Sequence, residues 1–528
     1  MAIISDMESK CLAVAEIFVT LLPPVAVVYM LGETQPLTEG IGMDWSKRQH
    51  LKQALALSAL PLLSHCGHTS PAMHDDELAK QADAIIASIQ KTNFPNRQFV
   101  FNGDTQRPAS NFAAGLLDCT LAIQALIDRC HSEGGGQVVI PAGRYTVAAL
   151  TLKSNVNLHL AKNAVLAFIP DPVRYLPLVK TRWEGMELMG YQPLIYAYGA
   201  DNIAITGEGI IDGGGSNQHW WPWKGEWKHT PWPVDAANTQ KRSRDQLQQW
   251  VAAGTPISER VLNDNRLRPP LIQTYQCSRL LISGVTLQNS PFWLMNPVLC
   301  RDVVIEGVNC ISHGPNSDGC DPESCDRVLI RGCQFDTGDD CIALKSGRNN
   351  DGRRLATPIQ NVVIEDCVMR AGHGGVVIGS EISGGARNIF ARRLVMNSPD
   401  LERGLRIKTN SVRGGLIENI ALWDIDIGQV KDAVVINFYY EEGDAGQFLP
   451  QVRGIRLRDF RVSNAERAFE LRGFARAPIV DLQLERVQIR SKNIGVIEHV
   501  EQFDCKQVLI NGKAWQPNRT VNSESYGR

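Results

Sequence analysis

The stretch of sequence that decides the fold is "DVVIEGVNCISHG", residues 302–314, in which two short runs of alternating apolar residues are separated by a glycine. Alternation with a period of two is typical of a β-strand, and a glycine provides the break between strands. The same pattern begins again at Asn202, Arg279, Arg327, Asn361, Asn388, Asn419 and Gly454. Such a repeat predicts a solenoid, in which each coil buries its apolar side chains against the next coil.

We predict an all-β fold, a single-stranded right-handed parallel β-helix. The starts at 279, 302, 327, 361, 388 and 419 are 23 to 34 residues apart. Each repeat holds several strands and no helical pattern, which argues against alternating strands and helices. The predicted catalytic β-helix covers residues 95–515. Residues 1–75 are predicted to be an export signal or extension outside the fold.

A β-helix needs its open ends covered, because exposed strand edges pair with other chains. The segment "LLDCTLAIQALIDRCHSEGGG", from Leu116, predicts an N-terminal capping helix. We expect Asp118 at its N-cap, glycines 134–136 at its end, and an apolar face of Leu121, Ala125, Leu126 and Ile127. A Trp-rich insertion, residues 216–267, interrupts the repeat and is expected to project from the solenoid near the cleft as a packed lid.

The composition describes a soluble globular protein with enough chain for a sizeable core. The chain has 528 residues, 44% of them hydrophobic, and a formal net charge of −2. This charge favours neither nucleic acid nor an anionic membrane as a partner. From Lys345 to Arg413, however, 12 Lys or Arg stand against 6 Asp or Glu, a local excess of +6. This local charge predicts an anionic ligand.

The N-terminal segment is typical of targeting. Residues 11–31 are apolar and about long enough to span a bilayer, although Glu16 and a Pro-Pro pair interrupt them. A second signal follows Met43, with basic residues, an apolar run and then small residues. We expect translation to start at Met43; the alternative is that the N-terminal segment is an uncleaved membrane anchor. In either case we expect the catalytic domain to be exported to the periplasm or secreted, without stable membrane insertion. Cys66 offers a site for lipid attachment. The thirteen cysteines include several expected to fill the core, and no disulfide is assigned.

Six aspartates are crowded between residues 318 and 340. Asp339 lies eleven positions after Val328, and His373 lies eleven positions after Val362, so they occupy the same place in successive coils. Adjacent coils are separated by the spacing of neighbouring strands, about 5 Å. Asp318 reaches the same face through a longer turn. Asp321, Asp326 and Asp336 are interpreted as turn residues that bond to nearby backbone. Arg406 and Lys408 follow one coil later, on one face of a strand.

Four segments resemble the signature blocks of family-28 glycoside hydrolases, the polygalacturonases. They are "NSDG" at 316–319, "TGDDCIALKSG" at 337–347, "GHGG" at 372–375 and "RIK" at 406–408. The family usually has Thr where Ser317 stands here. The blocks look closest to bacterial, exo-acting members. The resemblance implies inverting hydrolysis of α-1,4-galacturonosyl linkages in polygalacturonate or pectin. The sequence shows no metal-ligand spacing, phosphate loop or nucleotide motif, so we predict no cofactor or metal.

The resemblance also implies roles for individual residues. Asp339 is the expected general acid, Asp318 and Asp340 are expected to activate water, and His373 is expected to tune the proton of Asp339. Arg406 and Lys408 are expected to bind the galacturonate carboxylate. Tyr439 or Tyr440 is a candidate for stacking on a sugar.

Other functions remain open on the sequence alone. They are hydrolysis of rhamnogalacturonan or xylogalacturonan, a polysaccharide lyase on the same fold, and a non-catalytic β-helix such as an adhesin. Exo action is expected if the Trp-rich insertion forms a wall, with Arg266 and Arg268 facing the terminal sugar. The sequence does not predict the oligomeric state.

Overall fold

The computed structural model describes residues 77–103, 107–108, 117–227 and 231–517. The predicted export segment and Cys66 lie outside these residues. Within them, parallel strands stack coil upon coil, so the chain is a parallel β-helix, as the repeat predicts. Val303, Val328 and Val362 are direct partners in neighbouring strands. The coil register read from the sequence is therefore confirmed.

The coils form three sheets, each a stack of strands. The first sheet contains, in stacking order, Gln98–Val100, Gly136–Ile140, Val156–Leu160, Asp201–Gly207, Ser278–Ser283, Arg301–Glu306, Asp326–Arg331, Ile359–Glu365, Ala386–Met396, Leu416–Ile427, Gln451–Arg472, Ile479–Glu485 and Val500–Lys506. The second sheet contains Leu117–Asp118, Gly143–Val147, Ala164–Phe168, Ile210–Asp212, Thr286–Gln288, Asn309–Ser312, Gln334–Thr337, Val368–Met369, the later halves of the long strands, Gln488–Glu498 and Leu509–Ile510. Two short antiparallel strands join its ends, Arg107–Pro108 and Lys513–Ala514.

The third sheet is the one that carries the candidate site. Its strands are Leu150–Thr151, Ile195–Tyr198, Ile272–Tyr275, Met295–Val298, Ile342–Leu344, Val376–Ile378, Arg403–Lys408 and Val430–Asn437, followed by the last parts of two long strands, Gln451–Arg472 and Gln488–Glu498. Single bridges at Cys320 and Glu323 connect its early strands to its late ones. An antiparallel hairpin, Val179–Trp183 with Met186–Gly190, lies apart from the stack. Below it is called the hairpin.

Helices are few in the described residues. The α-helices are Glu77–Ser88, Thr120–Ser132, Gln240–Ala253 and Asn349–Leu355, and the 3-10 helices are Pro172–Tyr175, Trp221–Lys224, Ala236–Asn238 and Ile257–Glu259. None of the helices within these ranges has the length and apolar character needed to traverse a bilayer.

The N-terminal end of the capping helix, Thr120–Ser132, differs from the prediction. Its N-cap residue is Cys119, and Asp118 instead accepts a hydrogen bond from the backbone N–H of Thr120 at 2.9 Å. The buried face is Ile123, Ile127 and Cys130, spaced by four and three residues, as one face of an α-helix requires.

The apolar face predicted for this helix was partly wrong: Ile127 is buried and Leu126 packs against the core as predicted, but Leu121 is 70% exposed and Ala125 is also exposed. The predicted end is confirmed. The N–H of Gly135 donates to Cys130 O at 2.8 Å.

A helix that the sequence analysis missed, Glu77–Ser88, packs on the outside of the first sheet. Its Ala82 joins a buried cluster with Leu329, Phe390 and Trp423, and Asp83 accepts a bond of 2.6 Å from Arg392. Apolar residues at 78, 82, 85 and 89 carry a helical period that would have revealed it.

The cysteines of the described residues are apolar filling. All eleven are free and ten are buried. Successive coils place them above one another. Cys277, Cys300 and Cys325, for example, each stand directly before a residue that pairs with its equivalent in the neighbouring strand. This confirms the interpretation of several cysteines as core residues.

Candidate active site

One corner of the solenoid, between the second and third sheets, collects the predicted acid–base residues. Asp318 follows the strand Asn309–Ser312, Asp339 and Asp340 precede Ile342–Leu344, and His373 precedes Val376–Ile378. Because these turns belong to consecutive coils, stacking brings residues 55 positions apart together (373 − 318).

The three aspartates form a tight cluster. One carboxylate oxygen from each of Asp318, Asp339 and Asp340 lies within 4.8 Å of the others. The side chain of Asp339 is 16% exposed, whereas those of Asp318 and Asp340 are 4% and 0% exposed. Asp339 is therefore the one able to reach a bulky ligand, while the other two can reach only a small one such as water.

His373 lies against Asp339, as the coil register predicts. Its Nδ1 is 2.9 Å from Asp339 Oδ1, and its backbone N–H donates to Asp339 O at 3.1 Å. The nearby charge of Asp339 raises the pKa of His373 above its ordinary value. Burial would raise the pKa of Asp339, but His373, Lys408 and Arg406 outweigh burial and lower it. In the ligand-free protein, the proton of this pair is thus held on His373.

Arg406 and Lys408 lie on the strand Arg403–Lys408 and point to Asp340. Lys408 Nζ donates to Asp340 Oδ2 at 2.7 Å, and Arg406 Nη1 donates to Oδ1 at 3.3 Å. Burial would raise the pKa of Asp340, but these two cations lower it. Both cations also lie near the ring of Tyr440, at 5.4 and 5.6 Å from its centroid.

Tyr440, rather than Tyr439, is the aromatic residue of the site. The ring of Tyr439 packs edge-on against Phe474 at 4.9 Å, and Arg472 lies over it at 4.6 Å. Of the two tyrosines, Tyr440 is therefore the one that lies beside Arg406 and Lys408, and the role of Tyr439 as a substrate ligand stays a prediction.

Asp321 and Lys345 were missed as members of the site. Asp321 was interpreted as a turn residue, but it is fully buried, and its Oδ2 lies 3.8 Å from Lys345 Nζ. Lys345 Nζ also lies 3.7 Å from Asp318 Oδ2. The alternation of Ala343, Leu344 and Lys345 in the third sheet places the lysine on the outward face, a signal present in the sequence. The interpretation of Asp326 and Asp336 as turn residues was also wrong, because both lie within strands and pair with side chains, those of Asn361 and His313.

The charges within the cluster push the pKa values of the aspartates apart. Burial raises the pKa of Asp318, and the neighbouring carboxylates of Asp321 and Asp339 raise it further against the opposing charge of Lys345. Crowding was expected to raise the pKa of one aspartate, with Asp339 as the acid. The pKa values that are raised are instead those of Asp318 and Asp321, and the pKa of Asp339 is lowered.

The Trp-rich insertion packs on the hairpin. Leu247 and Val251 of the helix Gln240–Ala253 share a buried cluster with Trp183 and Leu188 of the hairpin. Lys224 at the start of the insertion is close enough for Asp339 to raise its pKa, although burial lowers it overall. The insertion therefore lies on the side of the solenoid that carries the aspartates.

Arg268 is not available to a ligand. It is fully buried and donates to Pro291 O, Pro315 O and Asn316 Oδ1 at 2.7–2.9 Å. The expectation that Arg268 faces the terminal sugar was therefore wrong, because the arginine instead ties the insertion to the turn that carries Asp318. Arg266 stacks on Trp223 with its Cζ 5.2 Å from the ring centroid.

The tip of the hairpin reaches across to Arg348. Glu184 Oε2 lies 3.2 Å from Arg348 Nη1, and the Arg348 N–H donates to Gly185 O at 3.0 Å. On its other side, Arg348 Nη2 lies 3.3 Å from Glu441 Oε2. Arg348 thus joins the hairpin to the loop that follows Tyr440.

The positive charge of the site comes from side chains. Asp340 is bonded by Lys408 and Arg406, Asp339 by His373, and Asp318 faces Lys345. These groups already neutralise the carboxylates, so we assign no metal or cofactor to the cluster.

Comparison with known proteins agrees with the signature blocks. Residues 246–509 match the sequence profile described as glycosyl hydrolases family 28. The structure of a hyperthermoactive exopolygalacturonase from Thermotoga maritima is 37% identical, with a TM-score of 0.76, and the match covers 83% of this chain and 97% of that one. An exo-poly-alpha-D-galacturonosidase of Dickeya chrysanthemi is 28% identical over 65% of this chain and 58% of that protein. A probable polygalacturonase of Vitis vinifera is 29% identical over 69% of this chain and 68% of that protein. The chain therefore belongs to family 28 of the glycosyl hydrolases.

Proposed function

We propose that this protein hydrolyses α-1,4-galacturonosyl linkages in polygalacturonate, releasing sugars from the chain end with inversion of configuration. The observation that carries the proposal is the cluster of three carboxylates at one corner of the β-helix, two of which are bonded to His373, Arg406 and Lys408. The names of the Thermotoga and Dickeya relatives agree with exo action on galacturonate chains.

In the proposed mechanism, Asp339 delivers a proton to the glycosidic oxygen. It is the most exposed of the three carboxylates, and it lies beside His373, which holds the proton in the free protein. His373 passes this proton to Asp339 through the 2.9 Å contact as Asp339 delivers it to the leaving oxygen, so that the imidazole ends neutral and Asp339 ends as a carboxylate. General acid catalysis of this kind contributes on the order of 10²–10⁴ in rate.

Asp318 and Asp340 act on water in this proposal. Oδ1 of Asp318 has no hydrogen-bond partner among the described residues, so it can accept a proton from a bound water. Its raised pKa makes Asp318 a stronger base once it is ionised. Because one oxygen from each of the three carboxylates lies within 4.8 Å of the others, one water can contact more than one carboxylate.

Arg406 and Lys408 recognise the galacturonate carboxylate. They lie beside Asp340 and retain further donors, because a guanidinium carries five N–H groups and an ammonium three. Tyr440, whose ring lies near both cations, is the aromatic residue placed to pack on the sugar.

The hairpin and the Trp-rich insertion supply the wall that exo action requires. The hairpin is fastened to the third sheet by a bond from Thr181 Oγ1 to Gln273 Oε1 and by the contacts of its tip with Arg348. A polymer cannot lie through a groove that is covered at one end, so only a chain end can reach the aspartates.

We further propose that the protein acts outside the cytoplasm, on pectin of the plant cell wall. The support is the basic and apolar pattern that follows Met43, with Cys66 as a candidate for lipid attachment. Cell fractionation, with and without Cys66→Ala, tests this proposal.

Incubation with polygalacturonate, followed by separation of the products, tests the function. We expect monomer or another single short sugar with an increase in reducing ends. Products that absorb in the ultraviolet would indicate a lyase, and activity only on rhamnogalacturonan or xylogalacturonan would replace the proposed substrate.

A further inference from the structure

Lys345 is a buried cation shared by three carboxylates. Its Nζ lies 3.2 Å from Glu381 Oε2, 3.7 Å from Asp318 Oδ2 and 3.8 Å from Asp321 Oδ2. The same atom lies 4.5 Å from the ring centroid of Trp293, which closes off the remaining side. The lysine is 3% exposed, so it is not placed to bind an incoming sugar.

Asp321 is an unusual neighbour for a catalytic carboxylate. It is fully buried, and neither of its oxygens has a hydrogen-bond partner among the described residues. A buried ion pair is weak evidence for stability, since apolar residues of the same volume stabilise a core as well or better. The placement of Asp321 and Lys345 around Asp318 therefore calls for a functional reason.

We propose that Lys345 and Asp321 are positioning residues that set the protonation of Asp318 from opposite directions. Lys345 holds the Asp318 carboxylate ionised and oriented toward water, whereas Asp321 raises its affinity for the proton it must remove. The proposal rests on the proposed function, in which Asp318 acts on water.

The other charged groups around this set lie on four elements. Asp339 and Asp340 face Asp318 from the next coil, Arg268 faces it from the end of the insertion, Glu381 and Asp340 face Lys345, and Glu323 faces Asp321. Burial raises the pKa of Asp318, the charge of Asp321 is the next contribution in the same direction, and Lys345 opposes both. An opposite or like charge within ~4–6 Å typically moves a pKa by about one unit or more.

The test compares the pH dependence of kcat/KM in Lys345→Met and Asp321→Asn. The acid limb of this profile reports the ionisation of the base in the free enzyme. We expect the limb to move by about one pH unit to higher pH in Lys345→Met, and to lower pH in Asp321→Asn. Lys153→Met, which removes an exposed lysine paired with Asp128 at the capping helix, should leave the limb in place.

An unmoved limb in Lys345→Met, or a limb that is not lowered in Asp321→Asn, overturns the proposal. Loss of activity without displacement of the limb would mean a purely structural role. If Lys345→Met does not fold, as judged by its melting transition, Asp321→Asn alone decides.

A second measurement needs no substrate. The carboxyl carbon of Asp318 is titrated by NMR in protein labelled at aspartate, with Asp318→Asn used for assignment. We expect the pKa of Asp318 read from this titration to be higher in Lys345→Met and lower in Asp321→Asn. This separates failure of the inference from failure of the proposed function, because the titration can be read even if polygalacturonate is not hydrolysed.

Discussion

Lys408 Nζ donates a 2.7 Å hydrogen bond to Asp340 Oδ2, so a cation expected to bind substrate also neutralises a carboxylate of the site. One residue of the "RIK" block therefore has two tasks, and its loss should affect both binding and the chemical step.

Lys408→Met should weaken binding of galacturonate chains about 10- to 100-fold, because a hydrogen bond to a charged group contributes roughly 1.5–3 kcal/mol. The salt dependence of binding should fall as well, since a charge partner is removed. Binding is measured at several salt concentrations, with Lys431→Met, an exposed lysine on the next strand, as the control. Equally tight binding with the same salt dependence would show that Lys408 does not contact substrate.

Asp339→Asn should lower kcat by on the order of 10²–10⁴ with little change in melting temperature, because the amide keeps the shape but cannot donate the acidic proton. Asp336→Asn, in the preceding strand and paired with His313, is the matched control and should keep its activity. Near wild-type turnover in folded Asp339→Asn would end the mechanism proposed above.

The pair of His373 and Asp339 predicts a pH effect. Because the pKa of His373 is raised in the folded protein, its protonated form stabilises the fold below the ordinary value of about 6.5, and this stabilisation is lost as pH rises through the folded-state pKa. His373→Asn should therefore reduce the free energy of unfolding more at pH 5 than at pH 9. The basic limb of the activity profile should also move to lower pH. Urea unfolding at both pH values measures the first effect, and an equal loss at both would contradict the assignment of the proton.

Gly185 tests the wall at the end of the cleft. A Cβ there would lie 2.6 Å from the backbone N of Arg348, so Gly185→Ala should push the hairpin tip away from it. Gly199→Ala is the matched control, because both glycines have positive φ, 75° and 60°, but nothing lies within 4 Å at Gly199.

The measured quantity is the fall in viscosity of a polygalacturonate solution for each reducing end formed. We expect a small fall for the wild type and Gly199→Ala, and a larger one for Gly185→Ala. A rapid early fall with the wild type would mean an open, endo-acting cleft.

Much of this site could be predicted because a β-helix converts sequence offsets into distances. The equal offsets of Asp339 and His373 from Val328 and Val362 gave their contact directly, since those valines are strand partners. The capping helix was harder, because a single short helix offers several apolar faces and only packing selects one.

The residues that were missed depend on contacts between elements with no common repeat. Asp321 looks like any turn aspartate until Lys345 of the next coil is placed beside it. Arg268 looks like a free cation until the turn at Pro315 surrounds it. The hairpin likewise lies outside the repeat, so no coil register predicts its contacts. Its partner Arg348 lies 164 positions away (348 − 184).

The hairpin and the insertion leave the solenoid at the same corner as the aspartates, one between Phe168 and Ile195 and the other between Asp212 and Ile272. Segments at this corner can change in length without altering the stacked strands that support them. The residues that carry out the chemistry and the segments that select the end of the substrate therefore belong to different parts of the fold. Exchange of residues 169–194 and 213–267 between relatives, with Arg268 retained at the turn that carries Asp318, offers a route to redesign product length while the acid–base residues remain in place.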